Sequence, residues 1–240
     1  TLDFVVIDSE HGSRDRQLIA DTVAQTQSLD ITAIVRTPNT EEVYVAMALD
    51  AGADGVLVPY CETVDEVRHC AVKLRTHPLK GEYYERVVET GEYPSEKSKK
   101  YLAERHKNHI FIMGIESEPA ANRVGELIDC ADIDGVFIGP NDMSTSLGIP
   151  DESGNPIYLD TLSKIIAEAD KRGIPTMIHQ QTIDTSAKAI ELGARFIMHS
   201  SDAGILLRGT QEEFAELRKI TSKKYGVVDE VEAEDTLDVV

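Results

Sequence analysis

The stretch ALDAGADGVLVP, residues 48–59, joins the end of a helix to a short buried strand. Gly52 stands where the helical pattern stops, and glycine commonly terminates a helix. The strand that follows is apolar on both sides of the pleat, which is typical of a parallel strand covered on both faces. The stretch AIELGARFIMHS, residues 189–200, repeats the design. The repetition indicates a fold of alternating helices and parallel strands.

Seven apolar runs of this kind alternate with helix-like stretches. The runs are DFVVID (3–8), TAIVR (32–36), GVLVP (55–59), IFIMGI (110–115), GVFIG (135–139), TMIH (176–179) and RFIMHS (195–200). Alternating strands and helices form right-handed crossovers and a parallel sheet. We therefore predict an α/β domain over residues 1–225, a (β/α)8 TIM-type barrel that lacks its first βα unit and has an unpaired edge between its first and last strands. A doubly wound open sheet is the alternative, but no G-x-G-x-x-G follows a strand.

Three features interrupt or bound this pattern. The chain begins at Thr1 and enters a strand almost at once, so we expect it to be a fragment. Residues 77–109 contain glycines, prolines and many charges, and are expected to form a long functional or disordered loop. Residues 226–240 carry six acidic residues and no helical pattern, and are expected to form a mobile acidic tail.

The composition argues against several classes of partner. Of 240 residues 41% are hydrophobic, enough to bury a full core, and the net charge of −19 would repel nucleic acid. No apolar run approaches the roughly 20 residues that span a bilayer, and no signal peptide is recognisable. We therefore expect a cytoplasmic protein that binds neither nucleic acid nor membrane, with Cys61, Cys70 and Cys130 reduced and structural.

Polar side chains of complementary chemistry follow four of the predicted strands: His11, Arg36, Glu116 and Asp142. The carboxyl ends of the strands of a parallel barrel meet on one face, where catalytic residues collect. A proton-transfer group, a fixed cation and two carboxylates are the parts needed to bind a metal and stabilise an enolate. The pattern predicts an active site at this face.

Glu116 and Asp142 are the predicted metal ligands. Two carboxylates at the ends of adjacent strands favour Mg²⁺ or Mn²⁺, with Co²⁺ or Zn²⁺ as substitutes. The alternative is two surface acids at strand ends, which are common in so acidic a chain. Gly139 and Pro140 predict a tight turn, after which backbone N–H groups could hold a substrate carboxylate.

His11 and Arg36 are the predicted catalytic pair. Asp8 stands three residues before His11, where its carboxylate could orient the imidazole of a general base. The alternative is a structural histidine. Glu10 is expected to alternate away from the site. Arg36 would make a bidentate contact to a carboxylate or keto oxygen, and an internal salt bridge to Glu116 or Asp8 is compatible with that role.

Four motifs together resemble the HpcH/HpaI aldolases, the metal-dependent pyruvate aldolases. They are DSEHG (8–12), VRTP (35–38), GIESEPA (114–120) and GPNDMSTSLG (139–148), and the resemblance runs from about residue 3 to about residue 220. It implies a (β/α)8 barrel that reversibly cleaves a 4-hydroxy-2-oxo acid to pyruvate and an aldehyde. No lysine stands at a strand end, which agrees with a metal-dependent rather than a Schiff-base aldolase.

The resemblance also assigns roles to residues. It implies that Glu116 and Asp142 bind the divalent metal, which pyruvate chelates through its carboxylate and keto oxygens. It implies that Arg36 contacts the keto oxygen and that His11, paired with Asp8, moves protons. The backbone around Gly139, Pro140 and Asn141 would hold the pyruvate carboxylate.

The chain departs from the family pattern at several positions. Gly114 stands where many members have Gln, two residues before the metal-binding Glu, and its small size is expected to widen the pocket. The segment 77–109 lacks the Arg-Gly phrase often seen there, which leaves the aldehyde open. His179 and His199 also stand at strand ends and are candidates for extra polar lining of the site.

The family resemblance implies a homo-oligomer built from dimers that exchange their last helix, here about residues 203–221, with three such dimers forming a hexamer. That stretch offers more apolar residues than a solvent-facing helix needs, although packing on its own barrel would explain them equally. Two other functions remain open. One is a lyase like the citrate-lyase β-subunit, which would need a basic patch for acyl-CoA, and none is obvious. The other is a non-catalytic binding protein derived from the aldolase fold.

Overall fold

Seven parallel strands form one sheet whose spatial order follows the chain. The computed structural model describes residues 2–226. Its strands are β1 (Phe4–Asp8), β2 (Thr32–Arg36), β3 (Gly55–Val58), β4 (Ile110–Ile115), β5 (Gly135–Ile138), β6 (Thr176–Gln180) and β7 (Phe196–His199). Each predicted run is a strand, and the strand ends lie within about one residue of the expected ones.

Helices connect the strands on the outside of the sheet. They are α1 (Arg16–Gln27), α2 (Glu42–Asp50), α3 (Val64–Thr76), α4 (Gly81–Thr90), α5 (Glu96–His106), α6 (Glu118–Asn122), α7 (Val124–Asp129), α8 (Pro140–Ser146), α9 (Pro156–Asp170), α10 (Ile183–Glu191) and α11 (Asp202–Tyr225). Polar caps set several of the starts: Asp15 caps α1, and Thr63 with Glu66 forms a capping box on α3. These caps fix where each loop at the strand ends gives way to a helix.

Two apolar layers hold the sheet in place. The larger one packs strand residues such as Val35 and Val58 with helix residues such as Val45 and Leu74. The smaller one, here called the inner cluster, lies on the other face of the sheet and consists of Ile34, Leu57, Ile112, Phe137 and Met177. Because side chains alternate between the two faces of a strand, a strand that is buried on both faces has a continuous run of apolar residues in its sequence.

The first and last strands, β1 and β7, form the two edges of the sheet, since no ladder joins them in the described part of the chain. The edges nevertheless face each other, because the rings of Phe4 and Phe196 meet edge to face with centroids 6.2 Å apart. The fold is therefore a nearly closed, all-parallel barrel, one βα unit short of a (β/α)8 TIM barrel. The predicted fold class and its open edge are both confirmed.

The expectation of a long loop at residues 77–109 is wrong, because this segment folds into α4 and α5. Tyr84, Val87 and Val88 recur at helical spacing and are buried. Gly91 ends α4 in the left-handed conformation, and Ser95 caps α5. The glycines and prolines that suggested a loop lie before, between and at the ends of two short helices.

The last helix, α11, has no buried residue along its 24 residues. No helix among the described residues is both long and apolar enough to cross a membrane. The expected acidic tail, residues 226–240, lies outside the described residues except for Gly226.

Candidate active site

The inward-facing side of the strands places polar side chains at the carboxyl mouth of the barrel. Arg36, Gly139 and His179 each stand two residues beyond a member of the inner cluster, and Glu116 stands four residues beyond another. Because side chains alternate along a strand, these residues point to the same interior. The mouth therefore receives the side chain of Arg36 from β2, of Glu116 from directly after β4 and of His179 from β6, while Gly139 after β5 contributes backbone only.

Arg36 is held between two carboxylates at this mouth. Its guanidinium donates from Nε to Oδ1 of Asp8 at 2.9 Å, and from a second nitrogen to Oδ2 of the same group. A third nitrogen lies 3.0 Å from Glu10 Oε2. Burial raises the pKa of Asp8, but the hydrogen bond and charge of Arg36 outweigh it, so the pKa lies below its usual value. The Asp8–Arg36 salt bridge considered from the sequence is confirmed.

The expected pairing of Asp8 with the His11 imidazole is not what the structure contains. Asp8 pairs with Arg36 because the two are register partners on β1 and β2, and it also accepts from the backbone N–H of Glu10 and His11. The His11 ring is about half exposed, and its Nε2 lies 3.9 Å from Glu10 Oε2. His11 is therefore at the rim, with Glu10 rather than Asp8 beside its ring.

Glu10 lies in the site, contrary to the expectation that it would point away. Glu10 stands two residues beyond Asp8, whose side chain faces the mouth, so a two-residue period counted from Asp8 places it on the same side. Burial raises the pKa of Glu10, and the nearby Asp8 and Asp142 add to the rise while Arg36 opposes it. The expectation had alternated Glu10 against its neighbour His11, which lies at the rim.

Glu116 is the most buried ionisable group of the site, with 1% of its surface exposed. Its Oε2 accepts a hydrogen bond of 2.9 Å from the Tyr60 backbone N–H, while Oε1 is buried without a hydrogen-bond partner among the described residues. Burial raises the pKa of Glu116 to about 8, and the charges of Glu10 and Asp142 contribute to the rise. A buried carboxylate among other carboxylates is stabilised by any cation that enters.

Gly139 leaves room for the Glu116 carboxylate. A Cβ at position 139 would lie 2.5 Å from Glu116 Oε1, so no other residue fits there without displacing it. Gly139 then precedes α8, whose first intrahelical bond runs from the Met143 N–H to the Gly139 carbonyl. Pro140 has no N–H, which leaves those of Asn141 and Asp142 as the donors of the first turn. Asp142 is exposed on that turn, near enough to raise the pKa of Glu116.

Gly114 does not widen the pocket, as its small size had suggested. A Cβ at this position would lie 2.8 Å from both the Pro59 Cα and the Val58 carbonyl oxygen. The end of β3 approaches β4 so closely that backbone occupies the space of the missing side chain. This approach also brings the Tyr60 N–H to Glu116 and the Cys61 N–H to the Gly114 carbonyl at 2.9 Å.

The two strand-end histidines lie on opposite faces of the sheet. His179 on β6 is paired in register with Met198 on β7, which packs on the inner cluster, so the ring faces the barrel interior. His199 is one residue beyond Met198 and faces outward, where its Nδ1 lies 3.0 Å from the Ser186 hydroxyl on α10. Of the two candidates for extra lining, only His179 lies on the interior face.

The residues present fit a hard divalent cation. Glu116 has one oxygen without a partner among the described residues, and burial with the charges of Glu10 and Asp142 raises its pKa more than the charge of Arg36 lowers it. Asp142 supplies a second carboxylate. Within residues 2–226 no group of three or more His, Cys, Asp or Glu side chains is arranged to hold an ion. Glu116 and Asp142 alone would therefore leave coordination positions for ligands from outside the chain.

A nearly closed parallel barrel with a buried carboxylate and an anchored arginine at its carboxyl mouth has the architecture of an α/β-barrel enzyme. The chain belongs to the HpcH/HpaI aldolase/citrate lyase family, whose sequence profile matches residues 1–208. It is 28% identical to the 5-keto-4-deoxy-D-glucarate aldolase of Salmonella arizonae over 213 residues, which cover 88% of this chain and 81% of that protein. The resemblance drawn from the four motifs is confirmed.

Solved structures support the same grouping. A family member from Burkholderia cenocepacia matches with a TM-score of 0.77 and 26% identity, covering 90% of this chain and 86% of the other. Macrophomate synthase matches with a TM-score of 0.73 and 26% identity, covering 92% of this chain and 78% of that one.

Proposed function

We propose that the protein is a divalent-metal-dependent aldolase that cleaves a 4-hydroxy-2-oxo acid to pyruvate and an aldehyde, reversibly. The observation that carries the proposal is Glu116: a buried carboxylate with one unpartnered oxygen, set against Gly139 in a mouth that also contains Arg36. The 5-keto-4-deoxy-D-glucarate aldolases among the relatives agree with this class of reaction.

In this proposal Glu116 and Asp142 hold the cation, with Mg²⁺ or Mn²⁺ preferred over Co²⁺ or Zn²⁺ because the ligands are oxygens. When bound, the cation supplies positive charge that polarises the keto group of the substrate and stabilises the enolate. Arg36, fixed by Asp8, donates to the keto oxygen. The N–H groups of Asn141 and Asp142, beyond Gly139 and Pro140, receive the substrate carboxylate.

His11 is placed in this scheme at the rim as the base. It removes the proton of the C4 hydroxyl, whose oxygen then forms the C=O bond of the leaving aldehyde. The C3–C4 bond breaks, and its electron pair forms the C2=C3 bond of the pyruvate enolate. Return of the proton from His11 to C3 completes pyruvate and restores the neutral base. Glu10, which lies beside the His11 ring, would stabilise the imidazolium that forms.

The test is release of pyruvate from a panel of 4-hydroxy-2-oxo acids, with and without EDTA, by the wild type, Glu116→Gln and Glu118→Gln. Glu118 is an exposed acid two residues further along and is the matched control. We expect metal-dependent release in the wild type and the control, and none in Glu116→Gln. Cleavage that persists in EDTA after full metal removal would refute the mechanism. Cleavage of an acyl-CoA thioester instead would favour the citrate-lyase alternative, and no turnover would favour a binding protein.

A further inference from the structure

His179 is a polar side chain in the mouth that the proposed mechanism does not use. It stands two residues beyond Met177 of the inner cluster, and its register partner Met198 packs on the same cluster. The imidazole therefore occupies the interior at the end of β6, where an apolar residue would continue the pattern of the strand. Even a partly buried imidazole costs desolvation free energy unless it makes hydrogen bonds.

The Nε2 nitrogen of the ring lies next to a side chain that is exposed to solvent. The side-chain amide nitrogen of Gln181, an exposed residue, lies 3.4 Å from His179 Nε2. Burial lowers the pKa of His179, and the charge of Arg36 adds to this, while a hydrogen bond to the Ser200 backbone opposes it. The ring is therefore neutral near pH 7 and has one donor and one acceptor nitrogen.

The position of β6 in the sheet determines which part of a substrate His179 can reach. Glu116 and Asp142 follow β4 and β5, and Arg36 ends β2. A 2-oxo acid held by these groups has its carboxylate and keto oxygen directed to that side of the mouth. The rest of the substrate must then extend over the opposite sector, formed by β6, β7 and β1, and this is where His179 lies.

We propose that His179 determines aldehyde specificity, by hydrogen-bonding through Nε2 to a hydroxyl group on the aldehyde fragment of the substrate, which takes the place of the long contact with the Gln181 amide. This inference rests on the proposed aldolase function. The site would then favour hydroxylated aldehydes over aldehydes of the same size that carry a methyl group instead. A polar group that binds a hydroxyl discriminates against an isostere that lacks it, since His179 Nε2 would then keep only its 3.4 Å contact with the Gln181 amide.

The test is aldol addition of pyruvate to glycolaldehyde and to propionaldehyde, two acceptors that differ by a hydroxyl in place of a methyl group. The quantity measured is the ratio of kcat/KM for the two aldehydes. We expect His179→Leu to lower this ratio about five- to tenfold, the value of one hydrogen bond. His179→Asn, which keeps a donor and an acceptor, should retain part of the preference. His199→Leu, the control on the outer face, should leave the ratio unchanged.

Deuterium exchange at C3 of pyruvate provides a second readout, because it needs no aldehyde. We expect it to be unchanged in His179→Leu, which also shows that the variant is folded and binds pyruvate. If the wild type exchanges and adds normally but His179→Leu keeps the wild-type ratio, the inference about His179 is wrong and the aldolase proposal stands. If the wild type neither exchanges pyruvate nor forms a product, both proposals are wrong.

Discussion

The carboxylate of Asp8 and the guanidinium of Arg36 lie side by side at the ends of β1 and β2, joined by two hydrogen bonds. The strands bring them together because the two residues are directly paired in the sheet. A bidentate pair fixes the plane of the guanidinium as well as its position. Asp8 therefore acts through Arg36, and Arg36 is oriented before any substrate binds.

This arrangement predicts that Asp8→Asn lowers kcat/KM for the 2-oxo acid by about ten- to a hundredfold, because a neutral amide no longer anchors the charged group. Arg36 would then be free to turn toward Glu10, its other carboxylate neighbour. Asp21→Asn on the exposed side of α1 removes the same charge and is the control. Steady-state kinetics of pyruvate release give kcat/KM for both variants. Equal kcat/KM values for Asp8→Asn and Asp21→Asn would contradict the anchoring role.

For His11, the predicted role as base implies that His11→Ala reduces kcat by about 10²–10⁴-fold. Binding of pyruvate and of the cation should persist, because Glu116, Asp142 and Arg36 are untouched. Calorimetric titration with pyruvate and Mn²⁺ measures the binding, and His69→Ala on α3 is the control. Near-full cleavage by His11→Ala would make His11 structural and assign proton removal to another group.

Gly114→Ala is expected to destabilise the protein by about 1–3 kcal/mol, since the new Cβ meets backbone that cannot move aside cheaply. The comparison is Gly135→Ala on the neighbouring strand, where the nearest atom would be at an ordinary 3.6 Å. Denaturant unfolding of both variants gives the difference. Equal stability would mean that the close approach of β3 to β4 is easily relaxed.

A cluster of buried histidines predicts a loss of stability in acid. Burial lowers the pKa of His106 and His109 below the usual 6.5. As the pH falls through 6.5, the unfolded chain takes up protons that the folded protein does not, so the free energy of unfolding decreases. When the pH is lowered from about 7.5 to about 5.5, the melting temperature of His106→Gln should fall by less than that of the wild type. These shifts set that pH window. His69→Gln is the control, and a wild-type pH dependence in His106→Gln would contradict the assignment.

For assembly, we expect light scattering to give a multiple of the mass of one chain. No residue of helix α11 is buried, and two of its large apolar side chains on one face are well exposed: Leu206 has 72% of its surface exposed and Phe214 has 56%. Burying such a surface against a second copy would stabilise an oligomer. The double variant Leu206→Glu, Phe214→Glu should shift the mass toward that of one chain, and Gln211→Glu on the same helix should not. A monomeric wild type at micromolar concentration would overturn this expectation.

The fold was predictable because each strand is buried on both faces and so appears in the sequence as a continuous apolar run. Arg36 and Glu116 were recognisable as site candidates because a charged residue directly after such a run has to be accommodated at a strand end. Glu10 was misplaced because the alternation was counted from His11, which lies at the rim, and not from Asp8, which faces the mouth. Gly114 was misread because the effect of a missing side chain depends on how closely a distant part of the backbone approaches, and a sequence does not contain that distance.

The facing edges of β1 and β7 determine how the two sides of the mouth are joined. Asp8 on β1 and His179 on β6 lie on either side of this gap. Among the described residues the gap is crossed by the packing of two aromatic rings, Phe4 and Phe196, and by no backbone ladder. The arginine anchor and the proposed aldehyde contact therefore stand on two sides of the mouth that meet here through side chains alone.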